Sequence, residues 1–268
     1  MKRVALVASA ALLVLGLTAS TASAAWTPFP MTFIRGLPVA AQDPNGSPRG
    51  ANNWSCRPSA KHPRPVVLLH GLAGSMATNM SGMSPALATA GYCVFAMNYG
   101  GPPRLRYLYG FAPMPQAAQE IAAFVDRVLA ATRATQVDIV GHSLGGSTPR
   151  WYMKFLGGAP KVHTLVGIAP PNHGGSDMDR VNAGGETLPG VNYTVIQTRY
   201  DEVVTPYTDA WLTGPRVTNI LLQHLCPIDL SDHLNIAFSP LTIALVKNAL
   251  DPTHPTAVLC RLVIPPLS

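Results

Sequence analysis

After residue 65, short apolar runs alternate with longer segments of helical pattern. The apolar runs occupy residues 66–69, 93–97, 137–140, 165–169 and 193–197. Mostly apolar runs of this length are typical of strands that are buried on both faces of a parallel sheet. The pattern therefore predicts a mostly parallel sheet that is covered on both sides.

The segments between these runs predict the helices that cover the sheet. Residues 114–133 carry Ile121, Val125 and Val128 at helical spacing, with polar residues on the other faces. Residues 144–156 directly follow an apolar run and predict the next crossover helix, and residues 240–250 predict a last helix. The repeated order of strand, helix and strand indicates a doubly wound α/β architecture.

The first 24 residues have the pattern of a secretory signal peptide. Lys2 and Arg3 precede the apolar run 4–17, and the small residues 22–24 follow it. The run is shorter than the roughly 20 residues that a membrane-spanning helix needs, which argues against an anchor. We expect cleavage after residue 24, a secreted protein, and a single domain over residues 25–268. Its first part, 25–65, is rich in Pro, Gly and Asn and is expected to be irregular.

The charge of the chain narrows the possible partners. The formal net charge is +6, and no run of basic residues follows the signal peptide, so no nucleic-acid partner is expected.

The four cysteines contain no CxxC pair, which favours two disulfides in an exported protein. Three pairings are possible. We favour Cys56 with Cys93 and Cys226 with Cys260, because each pair joins segments that are near in sequence; a free Cys93 buried in a strand is the alternative.

The most specific motif is Gly-His-Ser-Leu-Gly-Gly at residues 141–146, between an apolar run and a helical segment. This is the pattern of a nucleophile elbow, in which a sharp strand-to-helix turn lifts a serine above the sheet and flanking glycines avoid a clash. The helix that follows directs free N–H groups at the position where negative charge develops. The motif predicts the α/β-hydrolase fold with Ser143 as nucleophile.

A serine nucleophile needs a base, and the base needs an acid that orients it. In this fold the chain order is serine, acid, histidine. His233 lies in a loop before the last helix and is the predicted base, and His224 in a strand-like run is the alternative. Asp201 follows the carboxyl end of an apolar run, where open α/β sheets place their working residues, and is the predicted acid. Its neighbour Glu202 is expected to point elsewhere.

Two backbone amides are expected to form the oxyanion hole. One belongs to Leu144, directly after the nucleophile, and the other to Leu72 in the glycine-rich stretch 70–74 after the first strand. His70 precedes the serine in the chain. It is therefore interpreted as a residue that orders this loop, not as the base.

These residues resemble those of the class 2 lipases, secreted bacterial triacylglycerol lipases of the α/β-hydrolase fold. The resemblance covers residues 53–56, 65–71, 141–146, 148–152, 169–174, 199–206 and 226–233. It implies an esterase or lipase that acts on lipid or other carboxylic esters and needs no metal or other cofactor. It also implies that Ser143, Asp201 and His233 take the roles of the family's triad.

Two departures from the wider lipase pattern affect the expected substrate site. Leu144 stands where Gln or Met is frequent, and residues 175–191 are few for a large lid, so a small or absent lid is expected. The predicted open groove is bordered by Leu72, Met76, Tyr99, Tyr107 and Tyr109. We expect a monomer that contacts a lipid interface. A polyester or polyhydroxyalkanoate depolymerase and an exported binding protein that retains the fold are the alternatives.

Overall fold

The computed structural model describes residue 43 and residues 45–101 and 108–265. The predicted signal peptide, most of the predicted irregular segment up to residue 44, and Tyr107 lie outside the described residues.

The described residues contain one sheet of six strands, all parallel. The strands are β1 Val66–Leu69, β2 Val94–Met97, β3 Val137–His142, β4 Val162–Ile168, β5 Asn192–Gln197 and β6 Val217–Leu221. Their order across the sheet is β2-β1-β3-β4-β5-β6. The chain thus builds outward in one direction from β1 to β2 and in the other from β3 to β6. The predicted doubly wound parallel sheet is confirmed.

Helices cover both faces of this sheet. They are α1 Met76–Asn79, α2 Met83–Thr89, α3 Met114–Thr132, α4 Leu144–Phe155, α5 Ser176–Asn182, α6 Leu222–Leu225 and α7 Pro240–Leu250. Alternate residues of β1 enter different cores: Val67 packs in the core beneath α3, whereas Val66 packs in the core beneath α7. Burial on both faces explains why the strand reads as a continuous apolar run.

Side chains and disulfides secure the segments that flank the sheet. The Asn52 side chain bonds both the N–H and the C=O of Ala96, each at 2.9 Å, and so occupies part of the free edge of β2. Both predicted cysteine pairs are present as disulfides, Cys56–Cys93 and Cys226–Cys260. The second disulfide joins the segment that leads to His233 to the C-terminal tail.

In the described part of the chain, no helix combines the length and the apolar character needed to cross a bilayer. Nor do any three His, Cys, Asp or Glu side chains of these residues form a group suited to holding a metal ion.

Candidate active site

Ser143 occupies a strained turn between β3 and α4. Its backbone has φ 52° and ψ −126°, a left-handed φ that residues with a side chain rarely adopt. The turn is too tight for side chains at the neighbouring glycines, because a Cβ on Gly141 would lie 2.0 Å from the carbonyl oxygen of Gly145. A Cβ on Gly145 would lie 2.4 Å from the carbonyl oxygen of Leu69. The glycines of the motif are therefore required by the packing.

The structure brings His233 to Ser143 and leaves His224 elsewhere. His233 Nε2 lies 2.9 Å from Ser143 Oγ, and both side chains are buried. His224 is exposed on α6, and the run that contains it divides into the end of β6 and this short helix. Of the two histidines considered from the sequence, only His233 contacts the serine.

Asp201 lies beyond the end of β5 and holds the other side of the His233 ring. Its Oδ1 and Oδ2 lie 3.0 and 2.9 Å from His233 Nδ1. Oδ1 also accepts the backbone N–H groups of Val203 and Val204 at 2.9 and 2.8 Å. Burial acts to raise the pKa of this carboxyl, but the hydrogen bonds from His233 and the two amides outweigh it and lower the pKa below 3.8. The group is therefore an acceptor-only carboxylate at neutral pH.

This arrangement selects one tautomer of His233. Because the Asp201 carboxylate only accepts hydrogen bonds, the ring proton of neutral His233 lies on Nδ1. Nε2 then presents a lone pair to the hydroxyl of Ser143. The three side chains form a connected hydrogen-bonded path. Such a path can pass a hydroxyl proton to the imidazole, whose positive charge the carboxylate then stabilises.

The two predicted oxyanion donors border the same cleft as Ser143. In the described part of the chain, neither the Leu72 nor the Leu144 backbone N–H has a hydrogen-bond partner. Leu144 is the first residue of α4, so its N–H is one of the free donors at that helix start. Gly71 permits the loop to approach Ser143, because a Cβ on Gly71 would lie 2.9 Å from Ser143 Cβ.

His70 fixes the loop that contains Leu72. Its Nδ1 donates to the carbonyl oxygen of Gly71 at 2.8 Å, and its Nε2 accepts the backbone N–H of Tyr99 at 3.3 Å. Tyr99 Oη donates to the carbonyl oxygen of His70 at 2.7 Å, and the two rings stack with centroids 4.5 Å apart. Burial lowers the pKa of His70 to about 4, so the ring stays neutral and keeps this bonding pattern.

The cleft beside Ser143 has a volume of about 460 Å³ and a largely apolar lining. Leu72 and Val203 are 57% and 61% exposed at its border, and Leu144, Pro171 and Leu234 complete its apolar surface. Of these, the sequence reasoning had placed only Leu72 in the groove.

The other groove predictions need correction. Tyr99 is only 1% exposed, because it packs beneath the loop against His70, so its assignment to the groove is wrong. Met76 packs against the core below α1 and does not line the cleft. Tyr109 does not line it either. Its backbone instead pairs with Ala73 and Gly74 of the glycine-rich stretch 70–74.

Two further side chains contact the backbone of His233, and the sequence reasoning missed both. His142 Nε2 donates to the carbonyl oxygen of His233 at 2.8 Å. Burial and the nearby His233 lower the pKa of His142 to about 3, which keeps it neutral. Glu202 Oε2 accepts the His233 N–H at 3.1 Å, so the expectation that Glu202 points elsewhere is wrong. The only sequence signal for these residues is that each adjoins a predicted catalytic residue.

Hydrogen bonds hold residues 175–191 beside the Ser143 cleft, and the segment does not cover it. Arg150 reaches this segment by donating to the side-chain oxygen of Asn182 and, at 2.9 Å, to the carbonyl oxygen of Glu186. The Glu186 carboxylate accepts from His173 Nε2 at 2.8 Å and from the Thr213 hydroxyl at 2.8 Å. None of these residues lines the cleft. Within the described residues this segment provides no lid over the cleft, and the expectation of a small or absent lid stays a prediction.

The His173–Glu186 pair predicts a pH-dependent contribution to stability. Although burial opposes it, the bond to Glu186 raises the pKa of His173 above 6.5, and the same pairing lowers the pKa of Glu186 below 4.5. The histidine contribution is complete below the unfolded pKa and is lost as pH rises through the higher folded pKa. The carboxylate contribution is present above the unfolded pKa of Glu186 and is lost as pH falls through its lower folded pKa. The pair therefore stabilises most between these two unfolded values.

We expect His173→Gln to lower the melting temperature more at about pH 5.5 than at about pH 8.5. The difference should be small, roughly 1–3 °C, because the pair is partly exposed to solvent. The exposed His224→Gln variant is the control and should show no such difference. A deficit in His173→Gln that is equal at both pH values contradicts the prediction.

Part of the chain is similar to a known protein family. Residues 63–177 match the family model described as lipase (class 2). This segment is therefore similar to the class 2 lipases. It contains Ser143 and both predicted oxyanion donors, whereas Asp201 and His233 lie beyond its end.

Curated relatives also match about half of the chain. Triacylglycerol lipases of Pseudarthrobacter phenanthrenivorans and Burkholderia plantarii are each 34% identical to this chain over 139 residues, which is 49% of the chain. The aligned regions are 41% and 36% of those two proteins. The chain therefore spans about two fifths of the length of the curated relatives it matches.

Solved structures agree on the fold. Lipase B of Aspergillus fumigatus superposes with a TM-score of 0.66 at 20% identity, covering 85% of this chain and 62% of that one. The Bacillus licheniformis lipase BlEst2 gives a TM-score of 0.55 at 15% identity, covering 76% of this chain and 99% of the other. The predicted α/β-hydrolase fold is confirmed.

Proposed function

We propose that this protein is a secreted serine hydrolase of carboxylic esters, a lipase or carboxylesterase that works through an acyl-enzyme. The observation that carries the proposal is the hydrogen-bonded path from Ser143 through His233 to Asp201. It lies beside an apolar cleft and two backbone amides that have no hydrogen-bond partner among the described residues. The match of residues 63–177 to the class 2 lipase family model gives independent support.

In the proposed reaction, Ser143 Oγ attacks the ester carbonyl carbon while its proton passes to His233 Nε2. The carbonyl oxygen becomes an oxyanion and accepts hydrogen bonds from the Leu72 and Leu144 amides. As the intermediate collapses, His233 returns the proton to the departing alcohol and leaves an acyl group on Ser143. Water then attacks the acyl-enzyme by the same route, releasing the carboxylic acid and restoring the serine. Asp201 stays ionised throughout.

The cleft favours an uncharged ester with an apolar acyl group. In the described residues that line it there is no Asp, Glu, Lys or Arg. Its exposed side chains at the border, Leu72 and Val203, offer contacts to hydrocarbon. The curated relatives are named triacylglycerol lipases, which supports lipid esters as the substrate class.

Secretion is supported by two observations. The N-terminal sequence has the pattern of a signal peptide. The described part of the chain contains two disulfides and no free cysteine, as is usual for proteins that fold in an oxidising compartment. Mass determination of protein recovered from the culture medium is expected to show a chain that begins at Ala25.

The test of the proposed function uses the disulfide-containing protein with a fluorophosphonate probe and a panel of esters. We expect stoichiometric labelling and hydrolysis of nitrophenyl esters and emulsified triglyceride. Activity confined to polyester film would favour the depolymerase alternative. A protein that is neither labelled nor active on any ester would contradict the proposal and favour an exported binding protein.

A further inference from the structure

His233 is held by its main chain as well as by its ring. Its N–H donates to Glu202 Oε2 at 3.1 Å, and its C=O accepts from His142 Nε2 at 2.8 Å. The residue lies between α6 and the 3-10 helix Asn235–Phe238, where the chain has no continuous helix or strand to fix its peptide groups. The orientation of these peptide groups therefore depends on the two side chains.

We propose that Glu202 is a positioning residue of the ester-hydrolysis site, which acts by accepting the backbone N–H of His233. This inference rests on the proposed function. Asp201 and Glu202 are adjacent in the chain and hold one residue at two points, the first at the ring and the second at the peptide. If the His233 ring were held only at Nδ1, it could rotate about that hydrogen bond. Fixing the His233 backbone as well keeps Nε2 at its distance from Ser143 Oγ.

His142 holds the C=O of His233 while Glu202 holds its N–H, and we call this pair of contacts the backbone clamp. The tautomer of His142 follows from its contacts. The carbonyl oxygen of His233 only accepts, so the proton of neutral His142 lies on Nε2. His142 Nδ1 then accepts the side-chain N–H of Asn79 at 3.2 Å. The backbone clamp thus connects His233 to β3 through His142 and to the end of β5 through Glu202.

His142 and Glu202 differ in burial, so their replacements should have different effects. His142 is buried, so its replacement alters packing as well as the hydrogen bond. Glu202 is exposed, and an exposed carboxylate contributes little to the stability of the fold. The effect of removing Glu202 should therefore appear in catalysis and not in unfolding. This makes Glu202 the position at which the inference is tested.

We expect Glu202→Ala to lower kcat on a nitrophenyl ester roughly tenfold, because small displacements of a catalytic group reduce rates by one to two orders of magnitude. KM should stay within about twofold, since Glu202 does not line the cleft. The rate of fluorophosphonate labelling should fall in parallel with kcat. Glu202→Gln should recover most of the activity, because its amide oxygen also accepts the N–H of His233.

Asp179→Ala is the matched control. Asp179 is an exposed carboxylate on α5 whose side chain makes no hydrogen bond within the described residues, and its replacement changes the net charge equally. We expect wild-type kinetics from it. All variants are assayed well below their melting temperatures, which for Glu202→Ala should lie within about 2 °C of the wild type.

Three results would overturn the inference: wild-type kcat in Glu202→Ala, an equal loss in Glu202→Gln, or an equal loss in Asp179→Ala. The last two would assign the effect to charge instead of to the hydrogen bond. Failure of the proposed function is a separate result. It appears in the wild-type protein as an absence of both labelling and ester hydrolysis, before any variant is compared.

Discussion

Ser143→Ala is expected to lose ester hydrolysis by roughly 10⁴- to 10⁶-fold in kcat and to lose fluorophosphonate labelling completely. The variant lacks the oxygen that would form the acyl-enzyme, while the cleft and the amides of Leu72 and Leu144 remain. Substrate binding should therefore persist. The measurements are turnover of a nitrophenyl ester and mass spectrometry of the protein after exposure to the probe.

Ser176→Ala is the control for this experiment. Ser176 begins α5, is exposed, and makes no side-chain hydrogen bond within the described residues, so its loss should change neither labelling nor turnover. Ester hydrolysis by Ser143→Ala at more than about one hundredth of the wild-type rate would show that another nucleophile carries the reaction.

The sharp turn at Ser143 was predictable because its signal is local. The steric demands on Gly141 and Gly145 arise within one strand-to-helix turn, so six consecutive residues contain the whole pattern. The parallel sheet was predictable for a related reason: burial on both faces leaves continuous apolar runs that differ from helical spacing. In each case the cause lies within a few residues of its effect.

Contacts across the fold were harder to predict. Tyr99 follows a buried strand at the same end of the sheet as the site, but only its stacking on His70 shows that the ring points below the loop. Glu202 was misplaced because the direction of a side chain after the end of a strand depends on the turn. That turn also brings Val203 to the cleft. The spacing of apolar and polar residues along the chain carries no information about these side-chain directions.

His233→Ala is expected to reduce kcat about as severely as Ser143→Ala, by roughly 10⁴- to 10⁶-fold, because nucleophile and base act as one unit. Without the imidazole, the Ser143 hydroxyl has no acceptor for its proton at the moment of attack. The double variant Ser143→Ala/His233→Ala should be no slower than either single variant. This non-additivity separates a shared catalytic step from two independent losses of structure.

His224→Ala is the decisive comparison, because His224 was the other candidate base. The residue is exposed on α6 and makes no contact with Ser143, so its variant should keep kcat within about twofold of the wild type. His233→Ala must also remain folded. Asp201 keeps its bonds from the Val203 and Val204 amides when the imidazole is removed, which leaves the buried carboxylate partly satisfied. An inactive His224→Ala beside an active His233→Ala would require a different arrangement of the loop that follows α6 and would remove Asp201 from its role as well.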